Sequence, residues 1–171
     1  MKRFFCLVTL AALAVLANTG LAQSKMSASM VGVGPNGYDW LIGTWTCTTN
    51  MPSAMGGPSV TTLTASRSAG GAIFLRSIGK GFDESGYLAY APKTKTWWNP
   101  DAFADGSFES ESTTQTGKKT VWTGSFFDAS SGKLTHTRDT YVVVRMKTFT
   151  DLGEHRSAGG WTATYNITCK K

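Results

Sequence analysis

Few side chains in this 171-residue chain could do chemistry, and each has a bland reading beside the sharp one. His136 stands between threonines in Leu134-Thr135-His136-Thr137-Arg138-Asp139, sharing a strand face with Leu134 and Arg138. If that face pointed into a cavity, the imidazole could act as a general base; otherwise it is an exposed or hydrogen-bonded strand residue. His155 falls in a charged stretch with Asp151, Glu154 and Arg156 that reads as a turn. The two histidines are unclustered, and no His-x-His, Cys-x-x-Cys or His-Glu-x-x-His spacing occurs, so no metal site is expected. Glu109 and Glu111 share a face, as an acid/base pair would, but in Phe108-Glu109-Ser110-Glu111-Ser112 they read as the solvent face of a strand. There is no Gly-x-Ser-x-Gly and no phosphate loop. Gly32-Val33-Gly34-Pro35-Asn36-Gly37 matches a dinucleotide fingerprint in letters only, because no strand precedes it and Pro35-Asn36-Gly37 is turn chemistry. No cofactor is therefore expected.

The aromatic residues offer contact surface. Trp45, Trp122 and Trp161 sit in strand-like segments and read as core or floor. Trp97 and Trp98 are adjacent, so a strand must send them to opposite faces, and one must look outward or line a rim. Trp97, Trp98, Tyr90 and Trp122 are the candidate ligand contacts. Small residues at Ala89, Ala91 and Ala163 suggest a modest apolar pocket above Trp45, Trp161 and Tyr165, open on the Trp97-Trp98 side.

Met1-Lys2-Arg3, the apolar run Phe4 to Ala17, and Gly20 and Ala22 make a secretory signal peptide cleaved after Ala22. The run is too short to span a bilayer, and no second one follows, so no membrane span is expected after cleavage. Cys6 leaves with the signal. The two remaining cysteines, Cys47 and Cys169, are expected to form a disulfide in an oxidising compartment, secreted or periplasmic. Removing Lys2 and Arg3 from 17 Lys+Arg against 11 Asp+Glu leaves a net charge of about +4, spread too thinly to track a nucleic-acid backbone. Nothing in the sequence specifies an oligomeric state.

These side chains must be positioned by short strands. From Leu41 to Thr48 the odd positions are Leu41, Gly43, Trp45 and Cys47 and the even ones from Thr44 onward are all threonine, and from Trp161 to Lys170 the odd positions Trp161, Ala163, Tyr165, Ile167 and Cys169 form one apolar face. Two cysteines on the apolar faces of the first and last strands describe a sheet whose ends meet. Between them, glycine and proline punctuation delimits strands near 59–67, 72–79, 86–91, 95–98, 107–115, 119–127, 133–139, 141–150 and 160–169. After the signal, periodicity offers no helix longer than about two turns. The fold class is all-β, an antiparallel up-and-down barrel of about 8–10 strands or a sandwich.

Gly43-Thr44-Trp45 on the first strand resembles the Gly-x-Trp opening of the calycin superfamily, the lipocalin-like barrels. The chain more closely resembles a bacterial lipocalin-like domain of unknown function, the 1579 group. The residues that carry this are Trp40-Leu41-Ile42-Gly43-Thr44-Trp45, Gly70-Gly71, Gly86 with Tyr90, Lys93 to Trp98, Asp105-Gly106, Trp122-Thr123-Gly124, and Gly160-Trp161 with Tyr165. Lipocalins also set an arginine from near the C-terminus over the first tryptophan; here Lys170 and Lys171 end the last strand. The resemblance spans residues 38 to 171 and implies a calycin-like barrel with an interior ligand. The expected organisation is a signal peptide (1–22), a flexible lead-in (23–37) and a barrel (38–171). The expected function is binding of a small apolar molecule. The alternatives are an enzyme using the same cavity with His136 as base, or an envelope interaction module with a filled core.

Overall fold

The computed structural model describes residues 37–51 and 58–171. The signal peptide and nearly all of the lead-in lie outside the described residues. A 3-10 turn, Asp39–Leu41, leads into β1 (Gly43–Asn50), followed by β2 (Ser59–Arg67), β3 (Ile73–Gly79), β4 (Phe82–Ala91), β5 (Thr96–Phe103), β6 (Phe108–Thr113), β7 (Lys119–Asp128), β8 (Lys133–Arg145), β9 (Thr148–Ser157) and β10 (Gly160–Lys170). Each strand pairs antiparallel with the next, and β10 returns to β1, closing a ten-stranded up-and-down barrel without free edges. At the closing seam Cys47 lies directly opposite Cys169 and the two are disulfide-bonded.

One end of the barrel is a floor. The 3-10 turn folds Tyr38 and Leu41 under the strands, where both are buried. Tyr38 meets Trp97 edge-on at 4.9 Å and Trp122 at 5.4 Å between ring centroids, and Trp45 meets Phe149 edge-on at 4.9 Å. Trp45 is anchored by donating its indole N–H to the Leu41 carbonyl at 2.6 Å. Asp39 accepts from the Arg67 guanidinium on β2, which pins the turn to the barrel wall. Lys171 covers the first tryptophan: its Nζ lies 4.3 Å from the Trp45 ring centroid and donates to the Trp40 and Ile42 carbonyls at 3.2 and 2.7 Å. A single C-terminal cation thus covers the first tryptophan and satisfies carbonyls left free at the end of the turn.

Several strands depart from the expected boundaries: β4 starts at Phe82 and not near 86, and two further departures have a local cause. The sequence reading breaks at Asn99-Pro100, yet β5 runs through Pro100. The β4–β5 pairing omits the rung opposite Pro100, between Gly86↔Asp101 and Ala89↔Trp98, which is how a strand accommodates a residue with no N–H. The expected strand 141–150 is divided by a turn: β8 continues to Arg145 and β9 starts at Thr148, joined through Met146-Lys147. That turn contains none of the residues that mark turns in a sequence.

The last strand carries a larger correction. A register shift between Ala163 and Tyr165 in the β9–β10 pairing reverses the facing of the residues before it. Tyr165, Ile167 and Cys169 face inward as expected, but Trp161 lies on the outer wall, where the Arg138 and Arg156 guanidinium groups stand 4.6 and 5.5 Å from its ring centroid. Ala163 is exposed. Ala89 and Ala91 alternate with the inward Leu88 and Tyr90, so the small residues expected to shape the pocket line none of it.

Candidate functional site

The barrel encloses a cavity of about 510 Å³. It rests on the aromatic floor and reaches the opposite end, where Phe82, Asp128 and Lys133 line its mouth and Phe82 is 39% exposed. Opening is therefore at the end away from Trp97-Trp98, not beside it. The reason is topological: Trp97 and Trp98 begin β5 at the floor, and the mouth is formed where β3, β5, β7 and β9 end.

The lower wall is apolar, with Leu41, Leu63, Leu75, Leu88, Trp122, Phe149 and Ile167. Above it the interior turns acidic. Glu84 on β4, Asp101 on β5, Glu109 and Glu111 on β6, Asp139 on β8 and Asp151 on β9 all line the cavity. This reverses the expectation that Glu109 and Glu111 form a solvent face. On β6 it is Phe108 that points outward, 48% exposed and stacked on Phe127 at 5.2 Å, while Glu111 is 4% exposed. Pairwise rungs gather the acids, since Asp101 is opposite Glu109, Asn99 opposite Glu111, and Tyr141 opposite Asp151.

Neutral donors meet part of this acceptor surface. Asn99 donates to Asp101, Thr137 to Glu111 at 3.1 Å, and Tyr165 to Asp139 at 2.6 Å. Asp151 Oδ1 is buried with no hydrogen-bond partner, and the residue is 5% exposed. Among the described residues the cationic side chain that lines the cavity is Lys133, at the mouth; His155, on β9 and not in a turn, also lines it and shares a hydrogen bond with Thr164 at 3.0 Å. Burial pushes every one of the six acids above the ordinary carboxylate range, and for most of them mutual repulsion adds to it. Glu84 and Asp139 rise to about 7, Asp101 to about 8 and Glu111 to about 9, while Glu109 and Asp151 move the same way. Near neutral pH the band therefore holds protons that ordinary carboxylates would have released.

Glycines make room for these groups. A Cβ on Gly86 would sit 1.6 Å from Asp101 Oδ1, and one on Gly153 would sit 2.2 Å from the Tyr165 ring. Both glycines therefore keep open the space in which those inward polar side chains stand.

The sequence-chosen contacts separate cleanly. Trp122 lines the cavity. Trp97 is fully buried in the floor, and Tyr90 packs against it at 5.2 Å between ring centroids without lining the cavity. Trp98 is on the outer surface, 48% exposed. His136 is also outside: it is exposed, shares a hydrogen bond with Ser125 at 3.2 Å, and borders a shallow outer cleft with Arg156 and Trp161. It cannot serve as a base within the cavity, because the inward residues on either side of it in β8 are Thr135 and Thr137. No group of three or more His, Cys, Asp or Glu among the described residues is placed to hold a metal ion.

The sequence reading missed the acidic interior. A signal for it existed in strand parity, since Asp139 is two residues from the half-buried Tyr141, and Asp151 two from Phe149 and Asp101 four from Trp97, both buried.

No family model matches this chain, and no curated protein matches it. Among solved structures it is similar to the redesigned β-barrel mFAP1 bound to DFHBI, with 12% identity, a TM-score of 0.38 and coverage of 78% of this chain and 96% of that one. It is also similar to the crystal structure of Rv2717c from M. tuberculosis, at 13% identity and a TM-score of 0.62, covering 82% of this chain and 98% of that one, a likeness of fold.

Proposed function

We propose that this protein is an exported lipocalin-like barrel that binds a small molecule with an apolar body in its interior. The observation that carries the reading is the cavity itself: about 510 Å³, floored by aromatics, walled by leucines and open at one end. That volume lies in the range of small-molecule sites, which are typically about 300 to 1,000 Å³. It also weighs against the filled-core interaction module, and the outward position of His136 weighs against an enzyme using that histidine. Membership of the calycin superfamily and of the 1579 group belongs to this proposal, supported by the Gly43-Thr44-Trp45 start under Lys171.

Binding is tested with N-phenyl-1-naphthylamine, a neutral apolar dye whose emission rises in apolar surroundings. We expect saturable binding at micromolar concentration. Leu75→Trp, which fills the apolar wall, should abolish it, and Trp98→Ala on the outer surface should leave it unchanged. No saturable binding below about millimolar, a level worth only about 4 kcal/mol, removes the proposal.

Export rests on the signal-like residues 1–22 and is consistent with the disulfide, with 23–37 as lead-in and 38–171 as the mature domain. No helix among the described residues is long and apolar enough to cross a membrane. Protein recovered from outside the cytoplasm of a bacterial host should begin at Gln23 by intact mass; retention of residues 1–22 contradicts the processing.

A further inference from the structure

The polar half of the cavity has a chemistry of its own. Besides Asp128 at the mouth and Glu154, which is paired to Arg138, six carboxylic side chains from β4, β5, β6, β8 and β9 line it, and neutral donors reach Asp101, Glu111, Asp139, Glu84 and Glu109. Asp151 is the decisive residue. It lies at the junction of the acidic band with Phe149 on the apolar wall, is 95% removed from solvent on a 5% exposure, and has one carboxyl oxygen with no partner. A buried polar atom without a partner costs about 1 to 3 kcal/mol, more if charged, so its retention points to a donor that arrives with a ligand. Its rung partner Tyr141 also lines the cavity, beside Asp139 and Tyr165.

We propose that the ligand is an amphiphilic organic cation, a protonated amine on an apolar chain, with the ammonium group seated at Asp151 and the chain against the leucine and aromatic wall. An ammonium group carries three donors and no acceptor, and its charge favours the ionised, acceptor-only form of the carboxyl it meets, which the empty, crowded band disfavours. A fatty acid would set one more acidic group, with no compensating cation, among six carboxyls that already repel one another. A metal ion is disfavoured by placement, since no three of the acids among the described residues come together as ligands. The proposal rests on the interior-binding reading above and names the class of head group for that same site.

The test uses three probes with one eight-carbon chain: octylamine, octanol and octanoate, titrated by calorimetry into the mature protein at about pH 7.5. Octylamine should bind at least tenfold tighter than octanol, and octanoate most weakly. In Asp151→Asn, of nearly the same shape, the preference for the amine should shrink to about threefold or less while octanol affinity is unchanged. Glu111→Gln, checked like Asp151→Asn for a native circular dichroism spectrum, should reduce the preference in the same direction. If octanol binds as tightly as octylamine, charge selection is refuted and interior binding stands. If the preference survives in Asp151→Asn, the seat at Asp151 is refuted, whatever Glu111→Gln shows. If none of the three binds below millimolar, the interior-binding reading fails and takes this one with it.

Discussion

Without ligand, the barrel should lose stability as pH rises from about 5 to about 9, by on the order of 4 kcal/mol in unfolding free energy. Most soluble domains are at their best nearer neutrality, so the expected direction is diagnostic. In the unfolded chain the carboxyls titrate near about pH 4. In the barrel Glu84 and Asp139 are held up to about 7, Asp101 to about 8 and Glu111 to about 9, chiefly by burial. Between those limits the folded state binds more protons than the unfolded one, so stability must fall as pH rises. The stability is fully present below the unfolded value and fully lost above the folded ones. A single carboxyl displaced as far as Glu84 corresponds to on the order of 3 kcal/mol. The acids share protons, and the cavity is open to water at its mouth, so the contributions sum to much less than six such terms.

The groups that face the band are Tyr141 on β8, Tyr165 on β10, and Glu154 and His155 on β9, with Lys133 at the mouth. Asp128 acts in the opposite sense. Hydrogen bonds from Ser130 and Ser131 hold it down at about 2, so its contribution is lost only in strong acid, below the window in question. Urea unfolding at about pH 5, 7 and 9 measures the effect. Asp151→Asn should raise stability at the highest pH and change it little at the lowest. A flat or rising profile between about 5 and 9 would mean that the interior acids are ionised and compensated in the folded protein.

Breaking the Cys47–Cys169 disulfide should cost about 4 to 5 kcal/mol, the chain-entropy cost for a loop of this length, the bridged residues being 122 apart in sequence. The bond also ties the two strands that close the barrel. β1 and β10 share only the rungs from Thr46↔Lys170 to Asn50↔Asn166, with the cysteines as one of them. Without it the seam depends on hydrogen bonds between strands from opposite ends of the chain, the pairing with the greatest closure entropy. The Cys47→Ala, Cys169→Ala double variant should show a lower urea midpoint and a steeper slope, because the unfolded chain freed of the bridge exposes more surface. It should also show faster amide exchange along Thr46 to Asn50 and Asn166 to Lys170 than elsewhere. An unchanged midpoint would show that the seam is held by packing on Trp45 and Lys171 alone.

Strand periodicity and the position of two cysteines were enough to read this chain as an antiparallel all-β domain whose first and last strands meet, a barrel or a sandwich, because alternation is a local property of any half-buried strand, and the tertiary structure decided for the closed barrel. Trp45 as a floor residue and Cys47 facing Cys169 followed from the same alternation. Tertiary structure decided which side of each later strand faces in. One register shift at Ala163/Tyr165 sent Trp161 to the outside, since the period of two inverts when a single residue is displaced. The hairpin through Met146-Lys147 was invisible because neither residue needs turn geometry for itself; it forms because β8 and β9 pair on both sides of it. The acidic interior was the most consequential departure. By itself, alternation of Phe108 with Glu109 and Glu111 assigns the acids to water, and only closure of the barrel supplies the contrary answer. A closed sheet has an inner face with a cavity that can hold protonated carboxyls, while Phe108 finds Phe127 on the outer wall. Which face of a strand is the inside is a property of the whole barrel, and no single strand carries it.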